Sequence, residues 1–266
     1  MQNNSKILIM IIILIILIAA YFFIKISDKT KPQTLPLEIP QQMDGKEPVV
    51  DNREPFRTGS EKKTVNDVLE YFGEEVRNEL IPYFTAANIS YPPKKLSILA
   101  MKEEHLIELW ASNEKDQYVF IRSYEIKRLS GVNGPKLREG DRQVPEGVYK
   151  ITSFNPNSSY HLSMKLSYPN KFDLQHAEKE RRTEPGTNIF IHGRSVSIGC
   201  LAMGDKTIEE LFVLSRDTGI KNISIVISPY DPRIKKLSYD KNSQPEWVGD
   251  LYSNIEKEYS NIIKIQ

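Results

Sequence analysis

The segment IFIHGRSVSIGCLAMGD, residues 189–205, contains the single cysteine of the chain and one of its four histidines. Its first residues form a short apolar run that ends at a glycine, which is typical of a brief buried strand. Cys200 lies eight residues after His192 and directly follows Gly199. The segment therefore predicts a strand with His192 at its end, followed by a glycine-containing turn that carries Cys200.

Apolar residues recur at helical spacing in three other segments, so we predict three helices. The first begins near Thr64 and ends at Pro82. The second begins at a cap formed by Asp205 or Thr207 and ends at Gly219, and the third runs from Trp247 to Ile262. Capping residues at the start and glycine or proline at the end are common helix boundaries.

Runs rich in β-branched and aromatic residues predict seven strands. They lie at 96–102, 105–112, 117–126, 148–154, 160–168, 188–193 and 222–230, and a charged loop is predicted over 169–187. No internal repeat is present. The elements together predict a mainly β domain with some helices, of α+β class, over about residues 64–266.

The beginning of the chain has a different composition. Residues 7–24 form an unbroken run of eighteen apolar residues, ILIMIIILIILIAAYFFI. As a helix this run would be about 27 Å long, close to the ~30 Å hydrocarbon core of a bilayer. No A-x-A-like cleavage site follows, so residues 1–27 are predicted to be an uncleaved transmembrane anchor, with a cleaved signal peptide as the alternative. Residues 28–63, rich in proline and charge, are predicted to be a linker.

The composition argues against several functions. The net charge of +1 gives no reason to expect nucleic acid as a partner, because phosphate binding needs a concentrated basic surface. A single cysteine cannot form an internal disulfide. The Cys and His spacing of a zinc site is absent from the sequence, so neither a metal nor another cofactor is expected.

The residues alone allow two interpretations of Cys200. A thiol ionises near pH 8.5 unless a neighbour lowers its pKa. His192 could act as its base, and N–H groups around Gly199 and Cys200 could hold an oxyanion. Alternatively, Cys200 is a small buried hydrophobic residue, which free cysteines often are. From the spacing alone, a core residue is favoured over a nucleophile.

Four longer stretches bear on this choice. In chain order they are YPPKKLSILAMKEEHLIELW, GPKLREGDRQVPEGVY, FNPNSSYHLSMKLSYPNKFD and HGRSVSIGCLAM. Together they resemble the L,D-transpeptidase (YkuD-fold) family of cell-wall enzymes, and most closely its YafK-like branch, over about residues 64–232. The resemblance implies a mainly β, sandwich-like or barrel-like catalytic domain. It also implies a cysteine nucleophile that acts on peptidoglycan stem peptides, at the bond between the L-centre of a diamino acid and a D-amino acid.

The resemblance assigns roles within the opening segment. Four residues match positions of the family signature: Cys200 as the nucleophile, His192 as the base, Gly199 as the preceding glycine and Ser197 as the serine or threonine. Ile198 replaces the usual second histidine, and the loop after the first histidine is shorter than usual. These departures leave open whether acceptor use and rate match the better-known branch.

The implied mechanism is acyl transfer through a thioester. His192 takes the thiol proton, and the Cys200 thiolate attacks the carbonyl of the L-centre. An amine then completes transfer, or water completes hydrolysis. A third group must orient the imidazole, and the candidates are the carbonyl of Gly193 and Ser197 Oγ.

Four further residues are predicted to contact the substrate. The likeness places His161, Tyr168 and Asn170 near the cleft, and Arg194 follows in the opening segment. A surface histidine and ordinary turn residues are the simpler interpretation of the first three.

The predicted partners are peptidoglycan stem peptides, the membrane through the N-terminal helix, and an amine-bearing wall protein as one candidate acceptor. The catalytic domain is expected in the cell envelope, outside the cytoplasmic membrane, because peptidoglycan lies there. Three alternatives stay open: a hydrolase of the same mechanism, a cysteine peptidase acting on ordinary peptides, and an inactive wall-binding module.

Overall fold

The computed structural model describes Phe56 and residues 61–263. The predicted anchor over residues 1–27 and most of the predicted linker lie outside the described residues. The chain from Pro55 onward forms one compact unit. Within the described residues, no helix combines the length and the apolar character needed to cross a membrane.

The described residues form four α-helices and nine strands in two sheets. The helices are α1 (Val65–Ala86), α2 (Lys171–Lys179), α3 (Asp205–Thr218) and α4 (Val248–Ile262). The strands are β1 (Leu96–Met101), β2 (Leu106–Ser112), β3 (Tyr118–Glu125), β4 (Gly147–Tyr149), β5 (Ile151–Asn155), β6 (Ser163–Leu166), β7 (Phe190–His192), β8 (Leu201–Ala202) and β9 (Ile223–Ser228). The larger sheet has the order β3-β2-β1-β9-β4, and the smaller sheet has the order β5-β6-β7-β8.

The larger sheet is covered on both faces. Its central strands β1 and β9 run parallel, and every residue of β1 is buried. On one face, Leu99 and Val226 pack against Ile255 of α4. On the other face, Ile98 belongs to the main core, which also contains Phe84 of α1. Burial on both faces explains why these strands are mostly apolar, with serine as their only polar residue type, rather than alternating between apolar and charged residues.

Helix α1 begins where the sequence predicted and ends later. Thr64 caps it through a reciprocal pair of hydrogen bonds with Asp67, a capping box. The predicted end at Pro82 is wrong, because the helix continues to Ala86. Proline removes one N–H donor, and the complete burial of Phe84 in the core offsets that loss.

Two other local predictions need correction. The charged loop predicted over 169–187 contains helix α2, which begins with a capping box of its own. Helix α3 ends at Gly219 as predicted, but its N-cap is Gly204 and no side chain caps it. Asp205 and Thr207 are therefore not caps. The side chain of Asp205 instead accepts a hydrogen bond from the loop after β7.

The α+β class is confirmed, whereas two finer expectations are not. Among the described residues, helices contain more of the chain than strands, so the domain is not mainly β. Neither described sheet closes into a barrel, because each has two edge strands. The chain leaves β8 after two residues to begin α3, and the later strand β9 joins the larger sheet instead of closing the smaller one.

A buried ion pair fastens the long loop between β3 and β4. Lys102 Nζ lies 2.8 Å from Glu146 Oε1 and 2.7 Å from the carbonyl oxygen of Val132 in that loop. The hydroxyl of Tyr252 donates to the other carboxylate oxygen at 2.9 Å, and the N–H of Gly134 donates to Oε1 at 2.7 Å. Both charged side chains are buried. Burial lowers the pKa of Lys102, and the Glu146 carboxylate opposes that change.

Replacement of Glu146 by Gln should reduce the free energy of unfolding by about 3–5 kcal/mol, because it leaves the Lys102 ammonium buried without a counter-charge. Urea unfolding followed by circular dichroism measures the loss. The double variant Lys102→Met/Glu146→Gln should recover much of it, since no unpaired charge then stays buried.

The matched control is the exposed pair of Lys94 and Glu114. Glu114→Gln should change the unfolding free energy far less, because water solvates both charges. Equal losses for Glu114→Gln and Glu146→Gln would contradict the assigned role of the buried pair.

Candidate active site

Strand pairing brings His192 and Cys200 to one face of the smaller sheet. Strands β7 and β8 are parallel, with Ile191 opposite Leu201. Continuing this register by one residue places Cys200 beside Phe190, two residues before His192. Alternate residues of a strand share a face, and laterally paired residues point the same way. The histidine and the cysteine therefore emerge as diagonal neighbours on one face.

Ser197 holds the turn that carries the cysteine. Its Oγ accepts hydrogen bonds from the N–H of Cys200 at 3.1 Å and of Gly199 at 3.3 Å, and it donates to the carbonyl of Cys200 at 2.6 Å. A hydroxyl has one donor and two acceptor sites, so Ser197 Oγ is saturated. Ser197 therefore shapes the turn and does not orient the imidazole of His192.

The same bonds alter the predicted oxyanion site. The N–H groups of Gly199 and Cys200 point to Ser197 Oγ, so in this structure neither is free to face a substrate oxygen. Gly199 has a φ of 126°, which favours glycine, and a Cβ there would lie 3.5 Å from the carbonyl oxygen of Gln143. The turn thus lies beside the loop between β3 and β4, with ordinary van der Waals spacing at Gly199.

His192 is buried and held in one tautomer. Its Nδ1 lies 2.6 Å from the carbonyl oxygen of Gly193. A carbonyl can only accept, so Nδ1 carries the proton and Nε2 is left as the acceptor. The contact proposed for Gly193 is thus present, while its part in catalysis stays a prediction. Burial lowers the pKa of His192, and the bond to Gly193 opposes this. The imidazole is therefore neutral at pH 7.

Cys200 is a neutral thiol at rest. Its Sγ lies 3.8 Å from the carbonyl oxygen of Asn188. Burial raises the pKa of the thiol, while a hydrogen bond from the Phe190 backbone and the positive charge of Lys136 lower it. Within the described residues, no hydrogen bond joins Sγ to His192. Such contacts are often loose before substrate binds.

Gly193 and Arg194 are held by the start of helix α3. The N–H of Arg194 donates to Asp205 Oδ1 at 2.7 Å, and the N–H of Gly204 donates to the carbonyl of Arg194 at 2.9 Å. A Cβ on Gly193 would lie 2.7 Å from Asp205 Oδ1, so only glycine fits there. The side chain of Arg194 is exposed, and substrate binding by it stays a prediction.

The other three predicted substrate residues already bind protein groups. The hydroxyl of Tyr168 lies 2.7 Å from the carbonyl oxygen of Pro185. Asn170 caps helix α2, and Nε2 of His161 lies 2.6 Å from Glu209 Oε1. The structure does not bring these polar groups to the thiol. Their contact with substrate stays a prediction.

The sequence did not point to three features beside the dyad. The ring of Tyr160 packs on the ring of His192, with centroids 4.6 Å apart. Lys136 acts on the thiol through its charge. Val196 and Ile198 are 55% and 74% exposed beside the nucleophile turn. Of these features, only Ile198 could have been noticed in the sequence, because an apolar residue at this position departs from the family signature.

The chain matches one family of known proteins. Residues 102–250 match the family model of the YkuD L,D-transpeptidase catalytic domain. The L,D-transpeptidase-type protein YafK of Escherichia coli strain K12 is 33% identical over 150 residues, which cover 53% of this chain and 58% of that protein. YafK of strain O157:H7 matches equally. The chain thus spans less than two thirds of the length of these relatives.

Two solved structures are also similar. The helical cell shape determining protein Pgp2 from Campylobacter jejuni has 19% identity and a TM-score of 0.43, over 52% of this chain and 48% of that one. Bdellovibrio bacteriovorus Bd1075 has 20% identity and a TM-score of 0.38, over 62% and 54% of the two chains.

Replacement of His192 by Gln should slow alkylation of Cys200 at pH 7 by on the order of 10²-fold, the range of a lost general base. Burial disfavours the Cys200 thiolate. Its formation at pH 7 therefore depends on His192 as the proton acceptor. Iodoacetamide labelling followed by mass spectrometry of the intact chain measures the rate, and the single cysteine gives a single label.

His176→Gln is the matched control, because that imidazole stacks on Trp247 and takes no part in the candidate site. It should label at the wild-type rate. If His192→Gln also labels at that rate, His192 is not the base.

Proposed function

Because the chain belongs to the family of L,D-transpeptidase catalytic domains, we propose that it is a peptidoglycan L,D-transpeptidase with Cys200 as its nucleophile. The donor is a stem peptide, and the acceptor is an amine on a second stem or on a wall protein. One observation carries the proposal: the parallel pairing of β7 and β8 sets a neutral, buried His192 and Cys200 on one face.

The first half of the reaction forms a thioester. His192 Nε2 accepts the proton of the Cys200 thiol, and the resulting thiolate attacks the carbonyl carbon of the L-centre. The tetrahedral intermediate collapses when the C–N bond to the D-amino acid breaks. The departing amine takes the proton from the imidazolium, so His192 returns to its neutral form.

The second half reverses this proton flow. An acceptor amine attacks the thioester carbonyl and gives a proton to His192. The C–S bond breaks, and the Cys200 thiolate takes that proton back. The Gly193 carbonyl accepts a hydrogen bond from the Nδ1–H group throughout and stabilises the imidazolium when it forms.

Oxyanion stabilisation requires a change at the nucleophile turn. The N–H groups of Gly199 and Cys200 donate to Ser197 Oγ at 3.3 and 3.1 Å, longer than the usual 2.9–3.0 Å. A charged oxygen is a stronger acceptor than a hydroxyl. We therefore propose that the substrate oxygen takes over these two N–H groups as negative charge develops on it.

The residues around the turn suit a peptide substrate that carries a carboxylate. The exposed guanidinium of Arg194 can bind a carboxylate in a bidentate manner. Val196 and Ile198 present exposed aliphatic surface on the same loop. We assign the carboxylate of the stem to Arg194 and its aliphatic part to Val196 and Ile198.

The enzyme should transfer or release a D-amino acid on stem-peptide fragments in a Cys200-dependent manner. The test is mass spectrometry of purified peptidoglycan fragments after incubation with the full-length chain in detergent, with and without an added D-amino acid. Exchange of the terminal residue or cross-linked fragments are expected, because the thioester can accept an amine.

Cys200→Ala is the control and should abolish the change while leaving the circular dichroism spectrum intact. If only shortened fragments form, the enzyme hydrolyses the acyl-enzyme and does not transfer the acyl group to an amine. The absence of any Cys200-dependent product would contradict the proposed function.

We further propose that residues 1–27 anchor the chain in the cytoplasmic membrane and that residues 28–63 tether the catalytic domain outside it. A flexible linker of this length spans about 30–35 Å on average. Deletion of residues 1–27 should move the protein from the membrane fraction to the soluble fraction without loss of Cys200 labelling. Membrane association that survives the deletion would exclude the anchor.

A further inference from the structure

The ring of Tyr160 covers the candidate base. Its centroid lies 4.6 Å from the centroid of the His192 ring, and the two planes are inclined by 31°. His192 is only 3% exposed, whereas Tyr160 is 39% exposed. The tyrosine ring therefore lies between one face of the imidazole and the solvent.

We propose that Tyr160 is a positioning residue for His192, whose ring holds the imidazole in the orientation that bonds Gly193 and keeps water from its face. This inference rests on the proposed function, in which His192 is the base. The two rings are tilted, and their centroid distance lies within the range of about 4.5–7 Å that aromatic pairs favour. It leaves Nε2 of His192 available for the thiol proton.

The backbone around Tyr160 is held on both sides. Its N–H donates to Ser158 Oγ at 3.1 Å. The next residue, His161, has a φ of 71°, a left-handed conformation that is uncommon for a residue with a side chain. Nε2 of His161 lies 2.6 Å from Glu209 Oε1 on helix α3, and its ring packs edge-on against Phe72 of helix α1, with centroids 5.6 Å apart.

This anchored His161 gives a reason for the unusual backbone. This left-handed residue directly follows Tyr160 and lies just before β6. The carbonyl oxygen of Tyr160 also lies 2.7 Å from where a Cβ on Gly193 would be. Tyr160 thus contacts both His192 and Gly193, whose carbonyl accepts the hydrogen bond from Nδ1–H.

The acidic groups of helix α3 next to the loop after β7 are engaged elsewhere, whereas the guanidinium of Arg194 in that loop is exposed. On helix α3, Asp205 binds the N–H of Arg194 and Glu209 binds His161. Lys136, on the loop between β3 and β4, acts on the Cys200 thiol through its charge. The pKa of His192 is lowered by burial and raised by the Gly193 carbonyl, with no contribution from these charges. Loss of the covering ring should therefore move it.

The ring and not the hydroxyl carries this role. In the part of the chain that the structure describes, the Tyr160 hydroxyl makes no hydrogen bond. Tyr160→Phe keeps the ring and is thus a matched control for Tyr160→Ala, which removes it.

The test compares these two variants in the full-length chain. NMR titration of the histidine ring protons, with the His192 signal assigned from His192→Gln, gives the pKa directly. Iodoacetamide labelling of Cys200 between pH 5 and pH 8 gives the reactivity profile. In Tyr160→Ala, the pKa of His192 should rise towards its ordinary value of 6.5, because water reaches the ring.

Relative to the wild type, the labelling rate of Cys200 in Tyr160→Ala should fall several-fold more at pH 6 than at pH 8. The reason is that His192 in this variant is protonated at the lower pH. Tyr160→Phe should match the wild type in both measurements. Tyr160→Met, which fills more space, should shift the pKa in the same direction if the alanine variant does not fold.

An unchanged His192 pKa in the alanine or methionine variant would overturn the inference, as would a shift of equal size in Tyr160→Phe. These readouts need no turnover. The variants could show the expected pattern of His192 pKa values while the wild-type chain does not act on stem peptides. That result would contradict the proposed function and leave the positioning role intact.

Discussion

The parallel pairing of β7 with β8 is the constraint on which the candidate site depends. Parallel strands are usually joined by a connection of a dozen or more residues, and here residues 193–200 suffice. So short a connection must turn sharply, which accounts for the positive φ of Arg194 and Gly199 and for the saturated bonds of Ser197. The same pairing places the cysteine and histidine as diagonal neighbours on one face.

Burial gives this pair its chemical character. It raises the pKa of the Cys200 thiol and lowers the pKa of the His192 imidazole, so both groups are neutral at rest. A neutral pair differs from a thiolate and imidazolium pair, because the nucleophile forms only when the base takes its proton. The carbonyl of Gly193 prepares His192 for this step by fixing the tautomer.

Two separate supports hold the pair in place. Helix α3 contributes Asp205 to the loop after β7 and Glu209 to His161, and through it to Tyr160. On the other side, the buried pair of Lys102 and Glu146 fixes the loop between β3 and β4, against which the nucleophile turn packs. A short loop between two strands could not hold this geometry by itself, and the site relies on packed elements around it.

The sequence by itself determined the α+β class, most helix and strand positions and the residues that resemble the family signature, because periodicity, caps and motifs are local properties. It misjudged Pro82 and the segment 169–187, where burial and capping override a local breaker or charge pattern. Only the tertiary structure set Tyr160 on His192 and turned the N–H groups of the nucleophile turn to Ser197. The contact between Tyr160 and His192 joins residues about thirty positions apart, and the dihedrals of the turn are imposed by neighbouring elements. Neither kind of contact leaves a periodic pattern in the sequence.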